Sequence, residues 1–351
     1  MVEYKELNER LEKYCKENEK TFYIMNLYPS LLMLFKAKNV LINPYKKLET
    51  NIIRLTYDEK VDGLTSISLV REFFNNLGNN YTDLFDESFR NGSFGYEDVI
   101  NDKSDMSLYQ AGSLKNNKYY NVGFEGNILD GHSLVHEFFH YLNTSSSNLS
   151  DLFSEFISIY MENKYLDFLG TKGYSKTDIL KVKLERYLDF FDGQQDLLYE
   201  TLILNIKEKL GVIKEQDYDF LTSYKDYFLK DINIDVYYKN INVALNKLRN
   251  IDNNNMNRKN KFSPNYTFRY FFGVLLSSYL LTRDDELVTS RVLHLNNKLS
   301  NNEIISFFDG FEILGINIQD NAISDSLIES VSIYYDEALD KTLLLEAKQK
   351  R

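Results

Sequence analysis

Gly131-His132-Ser133-Leu134-Val135-His136-Glu137-Phe138-Phe139-His140-Tyr141-Leu142-Asn143 holds three of the four histidines in a chain of 351 residues. On a helix, positions i and i+4 lie one turn apart on one face, roughly 6 Å between Cβ atoms. Two imidazoles so placed can close on one ion. The H-E-x-x-H spacing of His136, Glu137 and His140 supplies two zinc ligands, and the carboxylate beside the first is placed to act as a general base. Zinc that does chemistry needs a third protein ligand and an open fourth position.

His132, His136 and His140 form an i, i+4, i+8 stripe, so the pair has to be chosen. Between His132 and His136 the neighbour of the first ligand is Ser133, which is no base. Between His136 and His140 it is Glu137. At about 1.5 Å rise per residue, His132 and His140 stand too far apart to share an ion. Asp130 or Ser133 serves as N-cap and the helix is expected to begin near His132, which takes no metal role. Leu134, Val135, Phe138, Phe139 and Leu142 leave little of this helix for water. The preceding residues, Lys118 to Gly126, read as a short strand whose edge could pair with an extended peptide.

A second helix is expected from Ser150 to Gly170, capped by Ser150 with Asp151 in its first turn. Glu155, Ser158 and Glu162 are spaced i, i+3, i+7 and share one face. Leu152, Phe153, Phe156, Ile157, Ile159 and Tyr160 surround them. Carboxylates buried there are costly without a cation or donors, and a zinc ion held by the preceding helix meets that need.

H-E-x-x-H followed by Glu155-x-x-Ser158-x-x-Met161-Glu162-Asn163 resembles the thimet oligopeptidase and oligoendopeptidase F family of zinc metallopeptidases, of the gluzincin class. The resemblance implies that Glu155 is the third ligand of one zinc ion per chain, with His136 and His140. It makes Glu137 the catalytic base, and Glu162, with Ser158 on the same face, a support for the ligands. Two departures are a shorter gap between His140 and Glu155, and Phe139 where the family usually has Gly. Near the C-terminus, Asn265-Tyr266-Thr267-Phe268-Arg269-Tyr270-Phe271-Phe272-Gly273 resembles the family's tyrosine helix. It implies that Tyr266, with Tyr270 in reserve, donates a hydrogen bond to the tetrahedral intermediate. The family's nearby His falls on Asn260. The resemblance covers about residues 60–345.

Composition agrees with a helical, globular chain. Hydrophobic residues make up 43%, and three prolines and 15 glycines favour long regular elements over a turn-rich β-sandwich. The formal charge of −11 disfavours nucleic acid and anionic membranes as partners. The one cysteine, Cys15, excludes an intrachain disulfide and reads as a core thiol. With a charged N-terminus, no signal peptide and no apolar run of about 18 residues, a cytoplasmic protein is expected.

Helices are expected over 2–19, 22–38, 64–77, 175–191, 194–210, 215–230, 232–249, 284–298, 300–308 and 323–346. Residues 88–105 read as loop, and 253–261 as a polar linker. The fold class is mainly α: a gluzincin-type helical catalytic domain with a small β element near 40–57 and 118–125. The whole chain, 1–351, reads as one catalytic domain, with 1–60 as a partial roof or N-terminal subdomain over a family-like core at 61–351. The expected activity is zinc-dependent hydrolysis of peptide bonds in short or unstructured peptides. Two alternatives are an inactive zinc-containing peptide-binding protein and a gluzincin exopeptidase.

Overall fold

The fold is described from a computed structural model. It covers residue 9 and residues 55–78, 80–90, 94–98, 120–143, 150–187, 264–283, 286–303, 305–317, 320 and 322–339. Apart from Glu9, the helices expected over 2–19, 22–38, 194–210, 215–230 and 232–249 lie outside them, as do Cys15, the linker 253–261 and Asn260.

The described residues are mainly helical. In chain order the elements are α1 (Gly63–Leu77), α2 (Tyr81–Arg90), β1 (Phe94–Asp98), β2 (Tyr120–Phe124), α3 (Ile128–Leu142) and α4 (Ser150–Thr171). Residues 176–187 form α5. Then come α6 (Pro264–Leu281), α7 (Glu286–Ser300), α8 (Phe307–Leu314), α9 (Ile323–Tyr335) and a 3-10 turn at Glu337–Leu339. No helix among the described residues is long and apolar enough to cross a membrane.

The chain divides into two compact units. One comprises Thr50–Leu188, Phe272–Asn317 and Ser330–Arg351; the other comprises Met1–Glu49, Asp189–Phe271 and Ile318–Glu329. Of the second, the described parts are Glu9, the start of α6 and most of α9.

The first unit is built around α4. Every residue from Leu152 to Asn163 is buried, the polar ones Ser154, Glu155, Ser158, Glu162 and Asn163 included. Helix α3 packs along it, with α1 against α3. Gly131 on α3 is what allows the close approach, because a Cβ there would overlap the Tyr165 ring of α4. On another side Phe153 meets Phe272 at 5.7 Å and Phe311 at 6.3 Å between ring centroids. Gly310 leaves room for the Phe153 ring.

Several boundaries differ from expectation, each for a local reason. Helix α3 starts a full turn before His132. Asn127 is its N-cap and accepts the Leu129 N–H at 2.8 Å, so Asp130 lies inside the helix rather than at its cap. The Asp130 carboxylate reaches back to the N–H groups of Glu125, Gly126 and Asn127 at 2.8, 2.7 and 3.2 Å. That satisfies the donors where the strand turns into the helix. Residues 88–105 are not all loop: α2 runs to Arg90, and β1 pairs in parallel with β2 from Phe94 opposite Tyr120 to Asp98 opposite Phe124. A partner far along the chain is invisible to local pattern.

Leu55 and Thr56, expected at the end of a strand, are in no regular element. Their neighbourhood is tied to α5 instead. Glu185 accepts the Leu55 N–H at 3.1 Å, Asp178 accepts those of Asp58 and Glu59 at 3.0 and 2.8 Å, and Lys181 donates to the Thr56 carbonyl at 3.0 Å. The remainder of the expected strand region, 40–54, lies outside the described residues. The helix expected over 300–308 is absent at its start, where Asn301 and Asn302 form a turn and Asn302 has a φ of 59°. Helix α8 begins instead after Ser306, which accepts the Asp309 N–H at 3.1 Å, and ends at Gly315 in the left-handed region. Helix α9 ends at Tyr335, short of the expected 346; residues 340–346 lie outside the described set.

Candidate metal centre

Two antiparallel partners, α3 and α4, supply the site. The i, i+4 spacing puts His136 and His140 on the face of α3 that meets α4, and the ring centroids lie 4.7 Å apart. Their Nε2 atoms are 3.0 Å from each other. Glu155 on α4, fully buried, places Oε1 3.4 Å from His136 Nε2 and Oε2 3.4 Å from His140 Nε2. One atom from each of the three residues lies within 4.8 Å of the others, and the group qualifies by donor type as a metal site.

The donor set fits zinc on two counts. A tetrahedral ion with bonds of about 2.0–2.1 Å has ligand atoms about 3.3 Å apart. The two Nε2 atoms are 3.0 Å apart and each has its own Glu155 oxygen at 3.4 Å, so the carboxylate spans the imidazole pair with separations near that value. Secondly, the other ring nitrogens are already engaged. His136 Nδ1 lies 2.6 Å from Glu162 Oε2, and His140 Nδ1 lies 3.2 Å from Ser154 Oγ. An ionised carboxylate only accepts, so His136 carries its proton on Nδ1 toward Glu162. In the neutral ring that leaves the Nε2 lone pair facing His140 and Glu155.

Glu162, also fully buried, is held from two sides. Arg186 on α5 donates from Nη2 to Oε2 at 2.8 Å and sets Nε 2.6 Å from Oε1. Burial opposes ionisation of Glu162, but Arg186, His132 and His136 outweigh it and hold the carboxyl well below the usual range. Burial likewise works against protonating His136, yet the contact with Glu162 and the charges of Glu155 and Glu137 raise its proton affinity above the ordinary value. A metal ion bound at His136 would therefore compete with a proton.

His132 stands outside the cluster of possible ligands. It is buried, its Nε2 lies 3.7 Å from Glu162 Oε1, and burial depresses its pKa to about 4. Glu137 is half-buried, and its Oε2 is shut off from solvent with no hydrogen bond among the described residues. Ser158 is buried on the same helix as Glu155 and Glu162, and its Oγ likewise makes no hydrogen bond among the described residues.

Tyr266 and Tyr270 belong to the other unit. The Tyr266 side chain lies outside the described residues; Tyr270 is half-buried, with the Arg269 guanidinium 5.4 Å from its ring centroid. Phe139, the departure from the family's glycine, is a core residue. It is fully buried against Phe74 at 6.0 Å and Tyr81 at 5.8 Å between centroids.

Two contributors had no sequence signal that singled them out. Ser154 sits one residue before Glu155, and only the three-dimensional pairing of α3 with α4 brings it to His140. Arg186 is one of several cations on α5, and nothing in its spacing points to Glu162. Set against protein-family models, curated proteins and solved structures, the chain matches none of them.

Proposed function

We propose that the chain is a zinc metallopeptidase with a gluzincin-type catalytic domain, hydrolysing peptide bonds in short or unstructured peptides. The observation that carries this reading is the convergence of His136 Nε2, His140 Nε2 and the buried Glu155 carboxylate, with the far ring nitrogens already engaged. Two imidazole Nε2 atoms facing a buried carboxylate at these distances form an arrangement that a divalent cation stabilises.

His136, His140 and Glu155 would hold the ion, which when bound supplies Lewis acidity and lowers the pKa of a water to about 7. Glu137, adjacent to the first ligand, accepts a proton from the attacking water and returns it to the leaving amine nitrogen. Its charge is close enough to raise the proton affinity of His136, and its inner oxygen is not committed to a hydrogen bond among the described residues. Glu162 and Ser154 fix the two imidazole rings, so that neither ligand has to be reoriented when the ion arrives. Hydrogen bonding to the reacting carbonyl by Tyr266 or Tyr270 rests on the family resemblance alone.

The test is Glu137→Gln. The amide cannot take the proton, so the variant should keep its fold and bind zinc as the parent does, while peptide hydrolysis falls by at least about 10²-fold. Hydrolysis at the parental rate in the zinc-loaded variant would remove Glu137 from the mechanism.

A further inference from the structure

We propose that Arg186 is a positioning residue for the metal ligand His136, acting through Glu162; the inference rests on the zinc reading above. Glu162 has two oxygens, and each has a neighbour that restricts it. Oε2 receives the His136 Nδ1 contact at 2.6 Å and the Arg186 Nη2 hydrogen bond at 2.8 Å. Oε1 has Arg186 Nε at 2.6 Å and His132 Nε2 at 3.7 Å. The guanidinium thus restrains the carboxylate at both oxygens, by a hydrogen bond at Oε2 and by a close charge contact at Oε1. A carboxylate fixed in this way holds the Nδ1 edge of His136 in one direction, and so aims Nε2 at His140 and Glu155.

Arg186 reaches the site from α5, an element that contributes no ligand, and its side chain is 17% exposed while that of Glu162 is 0%. Lysine in its place would supply a point charge without the two-point contact.

The experiment measures zinc dissociation constants by competition with a chromogenic chelator for the parent, R186M, E162Q and the R186M/E162Q double variant. Far-UV circular dichroism checks each fold. R186M should bind zinc about 10–100-fold more weakly, the range found when a partner of a metal-bound histidine is lost. The double variant should be no weaker than the weaker single one, because the proposal routes the effect of Arg186 on His136 through the Glu162 carboxylate. R186K should recover only part of the affinity. If R186M does not fold, R186K takes its place in the cycle with the same expectation of non-additivity. Zinc affinity of R186M (or R186K in its stead) within about two-fold of the parent overturns the proposal, as do losses that simply multiply in the double variant. A parent that binds no zinc overturns the zinc reading itself, whereas a zinc-binding parent with an unaffected R186M overturns only the role of Arg186.

Discussion

Glycine is the usual residue at this position in the family that the sequence resembles, and in this structure replacing Phe139 by it should be severely destabilising. The ring is 0% exposed and touches Phe74, Tyr81 and Phe138, with centroids 6.0, 5.8 and 6.1 Å away. Truncating a buried Phe to Ala costs about 3–5 kcal/mol through lost burial and the cavity left behind. Glycine in a helix interior adds about 1 kcal/mol. Phe139→Gly should therefore lose about 4–6 kcal/mol, a large share of the ~5–15 kcal/mol that keeps a typical domain folded. Phe139→Ala should lose about 1 kcal/mol less. The assay is urea unfolding followed by circular dichroism, with chelator present so that metal binding does not mask the loss. A cost below about 2 kcal/mol for the glycine variant would mean that Phe139 is not a core residue, and that the face of α3 assigned to the ligands is wrong.

Glu155→Ala should weaken zinc binding by about 100-fold or more, while His132→Ala should leave it nearly unchanged; equilibrium dialysis against metal buffers decides, and the reverse order would mean the wrong histidine pair. Gly131→Ala should cost about 1–3 kcal/mol by driving a methyl group into Tyr165, and a neutral result in thermal unfolding would rule out the close approach of α3 and α4. Burial pushes Asp130 up to about 6 from 3.8, so the native state holds the extra proton between those values. Its contribution to stability is present at about pH 4 and is lost as the pH rises through about 6. Between about pH 4 and about pH 7 the parent should lose up to about 3 kcal/mol relative to Asp130→Asn, and denaturant curves showing a constant gap at the two values would contradict this.

The helical class and the two metal-site helices could be read from the sequence because their signals are local. His136-Glu137-x-x-His140 and Glu155-x-x-Ser158-x-x-x-Glu162 both follow the period of a helix, and the flanking apolar residues leave one buried answer for each. The start of α3 was not legible in the same way. Asp130 looks like an N-cap by residue type, but its carboxylate is drawn back to the three N–H groups of the incoming turn. The start of α8 has a local signal of its own: Ser306 and Asp309 form a capping box, and Gly315 closes the helix. Arg186 and Ser154 were beyond reach, since their roles depend on which helix lies beside which. The same holds for β1, whose pairing with β2 spans a long stretch of chain.

The central claim is that this chain cuts peptides with a zinc ion held by His136, His140 and Glu155. It is tested most directly by incubating purified, zinc-loaded protein with a mixed peptide library and reading the products by mass spectrometry, with and without chelator. New peptide termini are expected in the zinc-loaded sample and none in the chelated one. An intact library at full zinc occupancy, or cleavage that chelator does not touch, would contradict it.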